Sequence, residues 1–165
     1  MNSLLAAAVV SIICTSSGNA CETSCGTVTD LPLPRFASID VTKAHARRGP
    51  SLRYRIDWVY RREGLPVIIT AEYGHWRRVV DNDGLGGWMH YALLSGERTA
   101  LIISTIAPMR VLPYGDAPEV AILEQDVVAQ IEKCSRNWCR LETNGYEGWV
   151  SKEHLWGVGV DISTE

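Results

Sequence analysis

The feature that most constrains the fold is an internal repeat of roughly sixty residues. HWRRVVDNDGLGGWMHYALL (75–94) matches NWCRLETNGYEGWVSKEHLW (137–156), with one extra residue in the first turn. Upstream, residues 46–61 lie opposite residues 109–124. The aligned positions include Trp76 with Trp138, Arg78 with Arg140, Val79 with Leu141, and Trp88 with Trp149. Such a repeat indicates two structural units of one kind, near 36–95 and 98–158.

Each repeat unit has the pattern of an all-β fold. Short runs rich in Val, Ile, Trp and Tyr alternate with turns of Gly, Asn and Asp. Asn144-Gly145 is a strong hairpin signal, and Asn-Asp-Gly at 82–84 plays the same part in the first unit. No stretch shows a convincing helical period, although residues 152–155 fit one 3₁₀ turn. Several short strands in so small a unit predict a barrel, because closure protects strand edges.

The order of motifs in the first unit is similar to that of a known family. Arg47-x-Gly49-Pro50-Ser51 lies in a long early loop, followed by Gly74-x-Trp76-x-x-Val79, Gly87-Trp88 and a closing Leu94. This order resembles the bacterial SH3-like (SH3b) domain, over nearly all of 36–158. The second unit departs from it, since Val111-Leu112-Pro113-Tyr114 replaces the loop and Arg136 replaces Gly74. The resemblance implies an all-β protein of two tandem SH3-like small β-barrels.

The amino terminus predicts export. An apolar run from Leu4 to about Cys14 is followed by small polar residues up to Ala20, as in a signal peptide at 1–20. The run is too short to span a bilayer, so no membrane insertion is expected after cleavage. The basic n-region is missing, and Gly18 disfavours a lipid anchor on Cys21. The predicted order is then a linker at 21–35, the two domains and a tail at 159–165, located in the periplasm or outside the cell.

Four cysteines remain after residue 20, namely Cys21, Cys25, Cys134 and Cys139. An even number in an oxidising compartment favours disulfides, with three pairings possible and Cys21–Cys25 plus Cys134–Cys139 the simplest. A zinc site is the alternative, but the C-x3-C and C-x4-C spacings do not match the usual knuckle. Because Cys134 and Cys139 align with Glu72 and Arg77, we expect a structural bridge in the second unit alone. We predict no metal and no cofactor.

The ionisable residues do not indicate catalysis. A catalytic cysteine needs a histidine base, and no histidine is matched by another histidine in the opposite unit: His45, His75, His90 and His154. Asp81 and Asp83 lie in a turn, where aspartate commonly makes local hydrogen bonds. The formal net charge of −3 gives no signal for nucleic-acid binding. We therefore predict a protein that is not an enzyme.

The aromatic composition favours a binding surface. Six Trp and six Tyr stand against one Phe, and Trp and Tyr suit half-exposed faces. If Val79 and Leu141 point inward, Trp76 and Arg78 share the outer face of their strand. Alternatively, these rings cover the barrel end or pack the two domains together. The ligand-binding candidates are Arg53, Tyr54, Tyr60, Trp76, Arg78 and Tyr91.

Charge distinguishes the two units. Residues 35–97 contain ten basic and seven acidic residues, whereas 98–158 contain six and eight. The first unit would therefore face an anionic partner or its acidic sister. The resulting prediction is an exported binding module that docks on cell-wall peptide or an envelope protein. The alternatives are a structural or interaction protein, with aromatic faces in inter-domain or homodimer packing, and an accessory subunit of a separate wall hydrolase.

Overall fold

The structure is a computed structural model, and it describes residues 25–159. Within this range the chain forms two seven-stranded antiparallel sheets. The first contains β1 Arg35–Ile39, β2 Ala44–Arg47, β3 Ile56–Tyr60, β4 Pro66–Tyr73, β5 Trp76–Val80, β6 Gly86–His90 and β7 Leu94–Ser95. The second contains β8 Thr99–Ile102, β9 Ile106–Arg110, β10 Glu119–Glu124, β11 Val128–Cys134, β12 Trp138–Thr143, β13 Tyr146–Ser151 and β14 Leu155–Trp156. The all-β prediction is confirmed.

The two sheets have the same topology. Their strand orders are β3-β2-β6-β5-β4-β1-β7 and β10-β9-β13-β12-β11-β8-β14, so each strand of the first has its counterpart seven strands later. Irregularities of register also match, since the shift between Ile69 and Ala71 has its counterpart between Ile131 and Lys133. A β-bulge adds one residue at a fixed place in a strand. The structure therefore confirms both the duplication and the alignment of its two copies.

Each sheet encloses its own apolar core. Val79 and Leu141 are both fully buried, which confirms that these two aligned positions point inward. Met89 of β6 and its counterpart Val150 of β13 are likewise buried. Because successive side chains in a strand alternate between faces, the neighbours of these residues are directed outward. Leu33, which precedes β1, also packs in the first core.

Local sequence explains the tight turns. Asn144 and Gly145 adopt φ of 51° and 79° between β12 and β13, the left-handed conformation that an Asn-Gly hairpin turn requires. The predicted turn at the end of the second unit is a 3₁₀ segment, Lys152–His154, and the first domain has the same element at Tyr91–Leu93. These short segments lead directly into the closing strands β14 and β7.

The two domains contact each other through specific groups. The hydroxyls of Ser38 and Thr99 lie 2.7 Å apart, and Thr99 Oγ1 donates to the Gly64 carbonyl at 2.6 Å. Phe36 packs edge-to-face on Trp156, with ring centroids 5.3 Å apart. Trp156 therefore contributes to packing between the two domains.

Candidate ligand face of the first domain

The outer surface of β5 and β6 brings aromatic and basic side chains together. Trp76 lies opposite His90, and Arg78 lies opposite Trp88, in the antiparallel register of these strands. Trp76 and Trp88 are half-buried, while Arg78 is exposed. Because all four residues alternate with buried neighbours, they share one side of the sheet. We call this surface the ligand face.

One end of the ligand face is an aromatic cluster of four rings: His75, Trp76, His90 and Tyr91. His90 stacks on Tyr91 with centroids 4.9 Å apart, and Trp76 meets His90 edge-to-face at 5.6 Å. His75 lies 5.6 Å from Tyr91 and 5.8 Å from His90. The Tyr91 ring is 48% exposed, so the cluster presents aromatic surface to solvent. The structure thus brings together Trp76 and Tyr91, two of the candidates chosen from sequence.

Two features position this cluster. Tyr91 N–H donates to the His75 carbonyl at 2.9 Å, which ties the start of the 3₁₀ segment to the turn before β5. His90 Nδ1 accepts a hydrogen bond from Ala92 N–H at 3.3 Å. His75 and His90 were not among the sequence candidates. In the sequence, only their positions next to Trp76 and Tyr91 could have indicated them. The ring contacts themselves arise from the pairing of neighbouring strands.

The second domain lacks this cluster. Lys152 N–H donates to the Asn137 carbonyl, so these residues correspond to Tyr91 and His75. Ser151 pairs with Trp138 in the place where His90 pairs with Trp76. Trp138 is therefore retained without its aromatic partners. The aromatic cluster distinguishes the two copies of the fold.

The other end of the ligand face is a basic cavity of about 470 Å³. Its charged walls are Arg47, Arg48, Arg78 and Asp57, and Trp88 forms an apolar wall. Asp57 accepts from Arg48 Nε at 3.1 Å and from Arg55 Nε at 2.7 Å. Desolvation alone would raise the pKa of Asp57. The hydrogen bonds from Arg48 and Arg55 outweigh it, so that the pKa of Asp57 lies below its usual value. The cavity therefore has three guanidinium groups and one ionised carboxylate.

The loop beside the basic cavity is held by Arg47. Its Nη1 donates to the carbonyls of Leu52 and Tyr54, at 3.2 and 2.7 Å. Arg110, the aligned residue of the second domain, donates to the Ala117 carbonyl at 2.7 Å. An arginine thus fixes this loop in both domains, although the rest of the loop motif is present in only the first.

Gly49 lets the Tyr54 ring lie close to the backbone of the loop. A Cβ at Gly49 would lie 2.7 Å from carbons of the Tyr54 ring, so a larger residue would displace that ring. Tyr54 is 48% exposed on top of Gly49. Arg53 is also exposed in this loop, but it lies outside the set of residues that line the basic cavity.

Tyr60 lies away from this surface. Its side chain is 4% exposed and belongs to the first core, and its hydroxyl donates to Asp81 Oδ2 at 3.1 Å and to the Leu85 carbonyl at 3.2 Å. Burial, with the nearby Asp81 carboxylate, raises the pKa of Tyr60. The sequence candidate Tyr60 therefore has to be corrected from a surface residue to a core residue. The aligned Leu123, which is also buried, was the signal for this.

On the surface of the second domain that corresponds to the ligand face, the charged side chains pair with groups of the same domain. Arg140 lies 2.9 Å from a Glu132 oxygen and 2.6 Å from a Glu147 oxygen. The Lys133 ammonium sits 5.5 Å from the centre of the Trp149 ring, within cation–π range. Both the cation and the ring are thus engaged by groups of the same domain.

The predicted bridge between Cys134 and Cys139 is confirmed, with an S–S distance of 2.05 Å. The two sulfurs are bonded to each other, so they do not act as thiolate ligands. The other proposed pair includes Cys21, which lies outside the described residues. Across residues 25–159, no group of three or more His, Cys, Asp or Glu side chains is arranged to hold a metal ion. No helix in that range has the length and apolar character needed to cross a membrane.

Two antiparallel sheets of the same strand order define a tandem of two small all-β domains. The family model for the bacterial SH3 domain matches residues 40–96 and again 104–157. The chain therefore belongs to the bacterial SH3 domain family. Bacterial SH3 domains are in general binding modules of the cell wall.

Comparison with solved structures gives a more distant likeness. NlpC2 from Trichomonas vaginalis is similar at 14% identity with a TM-score of 0.36, over 79% of this chain and 51% of that one. NlpC1 from Trichomonas vaginalis is similar at 15% identity with a TM-score of 0.35, over 85% of this chain and 51% of that one. The chain thus spans about half the length of these two proteins. No curated protein matches it significantly.

Proposed function

We propose that the chain is an exported, non-catalytic binding module of the bacterial cell envelope, and that its first domain docks on cell-wall peptide. The observation that carries this proposal is the aromatic cluster, which is exposed in the first domain and missing from the second. Both domains fold, but only the first exposes these aromatic rings. Ligand binding therefore explains the exposed rings better than a requirement of the fold does. Family membership supports the choice of the cell wall as the target.

The ligand face offers the chemistry that such a target needs. Stacked rings such as His90 and Tyr91 present flat apolar surface for amide planes and sugar faces, and aromatic anchors often dominate binding energy. The basic cavity adds positive charge beside them. Tyr54 and Arg53 are exposed in the loop that Arg47 holds, and we propose them as peripheral contacts.

Export is part of this proposal. A disulfide such as Cys134–Cys139 persists in oxidising compartments and is rare in the cytosol. Membership in the bacterial SH3 domain family also suggests a location beyond the cytoplasm. The predicted signal peptide at 1–20 lies outside the described residues. Intact mass of protein from the cell envelope tests the cleavage, and a full-length reduced chain would contradict it.

Binding is tested by sedimentation with purified peptidoglycan. The matched variants Tyr91→Ala and Lys152→Ala change aligned positions of the two domains. We expect the Tyr91 variant to bind about tenfold more weakly, as for the loss of an aromatic anchor, and the Lys152 variant to bind like the parent protein. Equal binding by all three proteins would contradict a ligand face on the first domain.

One observation favours a second candidate function, an interaction protein that forms a homodimer. Ile106 and Ile122 are each 59% exposed and Tyr146 is 54% exposed on the second domain. Ile122 belongs to β10, an edge strand that pairs with β9 alone. Sedimentation equilibrium tests this function. The parent protein should be a dimer, and the Ile122→Lys variant should be a monomer. A monomer at all concentrations would exclude it.

A further inference from the structure

The basic cavity of the first domain contains an arginine without a partner. Arg78 is exposed, and no carboxylate within residues 25–159 lies at ion-pair distance from its guanidinium group. The neighbouring Arg47 is engaged by backbone carbonyls, and Arg48 shares Asp57 with Arg55. Positive charge therefore exceeds negative charge in the cavity, and Arg78 is the cation available to a ligand.

The second domain shows what the first one lacks. Arg140 is aligned with Arg78 and pairs with Trp149 as Arg78 pairs with Trp88. Its guanidinium is held by the carboxylates of Glu132 and Glu147. The aligned residues of the first domain are Thr70 and Gly86, neither of which carries a negative charge. Two carboxylates that the fold can place on this arginine are thus missing from one copy.

We propose that the basic cavity is a subsite for a free carboxylate of the ligand, which binds Arg78 in the place that Glu147 takes on Arg140. This inference rests on the proposed function of the ligand face. The Arg140–Glu147 contact of 2.6 Å shows that this position on the sheet accepts a carboxylate at hydrogen-bond distance. Arginine binds carboxylates with a planar set of donors, which makes such contacts strong and directional.

The size and position of the cavity fit this role. Its volume of about 470 Å³ lies within the range of sites for small ligands. Gly86 carries no side chain, whereas Glu147 extends one over the aligned arginine. The approach to Arg78 is therefore open on this side. Trp88 provides an apolar wall for the rest of the bound group.

The carboxylate subsite adjoins the aromatic cluster. Trp76 and Arg78 are two residues apart on β5, which corresponds to roughly 7 Å along a strand. One short peptide can therefore place an apolar or sugar group on the cluster and a carboxylate on Arg78. The chemical class that the face selects is a wall peptide with a free carboxylate, rather than one whose carboxyl groups are amidated.

The test uses soluble peptidoglycan fragments in two forms. One portion is left untreated, and the other has its carboxyl groups converted to carboxamides with carbodiimide and ammonia. Binding is measured by isothermal titration calorimetry for the parent protein and for Arg78→Gln and Arg140→Gln. A thermal melt of each variant confirms that it is folded, which is expected because Arg78 is exposed.

We expect the parent protein to bind the untreated fragments about tenfold more tightly than the amidated ones, as for the loss of one charged hydrogen-bonding contact. Arg78→Gln should abolish this difference, and Arg140→Gln should retain it. Equal affinity for both forms, with binding intact, would overturn the carboxylate subsite and leave the proposed function standing. A loss of discrimination in Arg140→Gln would also overturn it. Absence of binding to either form by the parent protein would reject the proposed function itself.

Discussion

Glu72 and Arg77 face each other across β4 and β5 at the position that Cys134 and Cys139 occupy across β11 and β12. Arg77 Nε lies 3.4 Å from Glu72 Oε1, whereas the cysteines are covalently joined. The same turn is thus held by an ion pair in one domain and by a disulfide in the other.

The Glu72 carboxylate has a further role that a disulfide does not supply. It accepts from Arg35 Nη2 at 2.6 Å and from the Thr29 hydroxyl at 2.8 Å. The backbone N–H groups of Val28 and Thr29 donate to its other oxygen at 3.1 and 3.0 Å. The Glu72 side chain is fully buried. Glu72 therefore fastens the segment before β1 to the first domain.

The first prediction concerns Glu72→Gln. The substitution keeps the shape of the side chain but leaves Arg35 and Arg77 without their counter-charge. Removing one partner of a buried ion pair typically costs about 3–5 kcal/mol, and we expect a loss near the lower end because Arg35 is partly exposed. Urea unfolding at neutral pH measures it. The control is Glu132→Gln, whose half-exposed pair with Arg140 should contribute less than about 1 kcal/mol. Equal effects of the two substitutions would contradict a central role for Glu72.

The second prediction concerns pH. Burial alone would raise the pKa of Glu72, but hydrogen bonds from Arg35, Thr29 and Val28 lower it from 4.5 to about 2. Because the folded pKa lies below the unfolded one, the stabilisation is fully present above about pH 4.5. It is lost as the pH falls towards 2, with a total on the order of 3 kcal/mol. Urea midpoints measured between pH 6 and 2 check this, and the steep acid loss should be smaller in Glu72→Gln. The same acid profile in both proteins would assign the loss to other carboxylates.

The third prediction concerns the disulfide. The bridge joins residues five apart in sequence, and closing so short a loop stabilises a protein by roughly 2 kcal/mol in the chain-entropy model. Replacing Cys134 and Cys139 by alanine should lower the free energy of unfolding by about this amount. A chelator should leave the melting temperature of the parent protein unchanged. Unfolding by EDTA alone would instead indicate a metal–thiolate site.

The repeat made most of the fold predictable. Alignment of Val79 with Leu141 places both in strands and directs both inward, as the structure confirms. The disulfide between Cys134 and Cys139 was also predictable. The pair has no cysteine counterpart in the first unit, which favours a structural bridge over a site that the fold requires. The ion pair that Glu72 and Arg77 form at the same place in the first domain was not predictable from sequence. Glutamate and arginine five residues apart are common on exposed hairpins.

The candidate site was less accessible from sequence. The resemblance to SH3-like domains makes Tyr60 a groove candidate, because it lies near the long first loop, although its alignment with Leu123 indicates a core position. The sequence indicates no aromatic role for His75 and His90, because histidine is first considered as a catalytic base. Their ring contacts depend on the pairing of β5 with β6 and on the 3₁₀ segment that carries Tyr91. Such contacts depend on tertiary geometry that a linear pattern does not encode.

The fourth prediction concerns Tyr60→Phe. The substitution removes the hydrogen bonds to Asp81 and to the Leu85 carbonyl, which should lower stability by about 1–2 kcal/mol. Affinity for peptidoglycan should not change, because the ring is in the core. Tyr146→Phe is the control, since Tyr146 is 54% exposed. Reduced affinity with unchanged stability in Tyr60→Phe would instead indicate that Tyr60 contacts the ligand.

The most direct test of the central claim is an NMR titration with soluble peptidoglycan fragments, in which each tryptophan indole N–H is a separate reporter. Trp76 and Trp88 lie on the ligand face, while Trp138 and Trp149 occupy the aligned positions of the second domain. Single Trp→Phe variants assign the four signals. If the first domain binds wall peptide, the signals of Trp76 and Trp88 shift with saturation, and those of Trp138 and Trp149 remain in place. Shifts confined to Trp138 and Trp149, or no shift at saturating fragment concentration, would contradict the proposed ligand face.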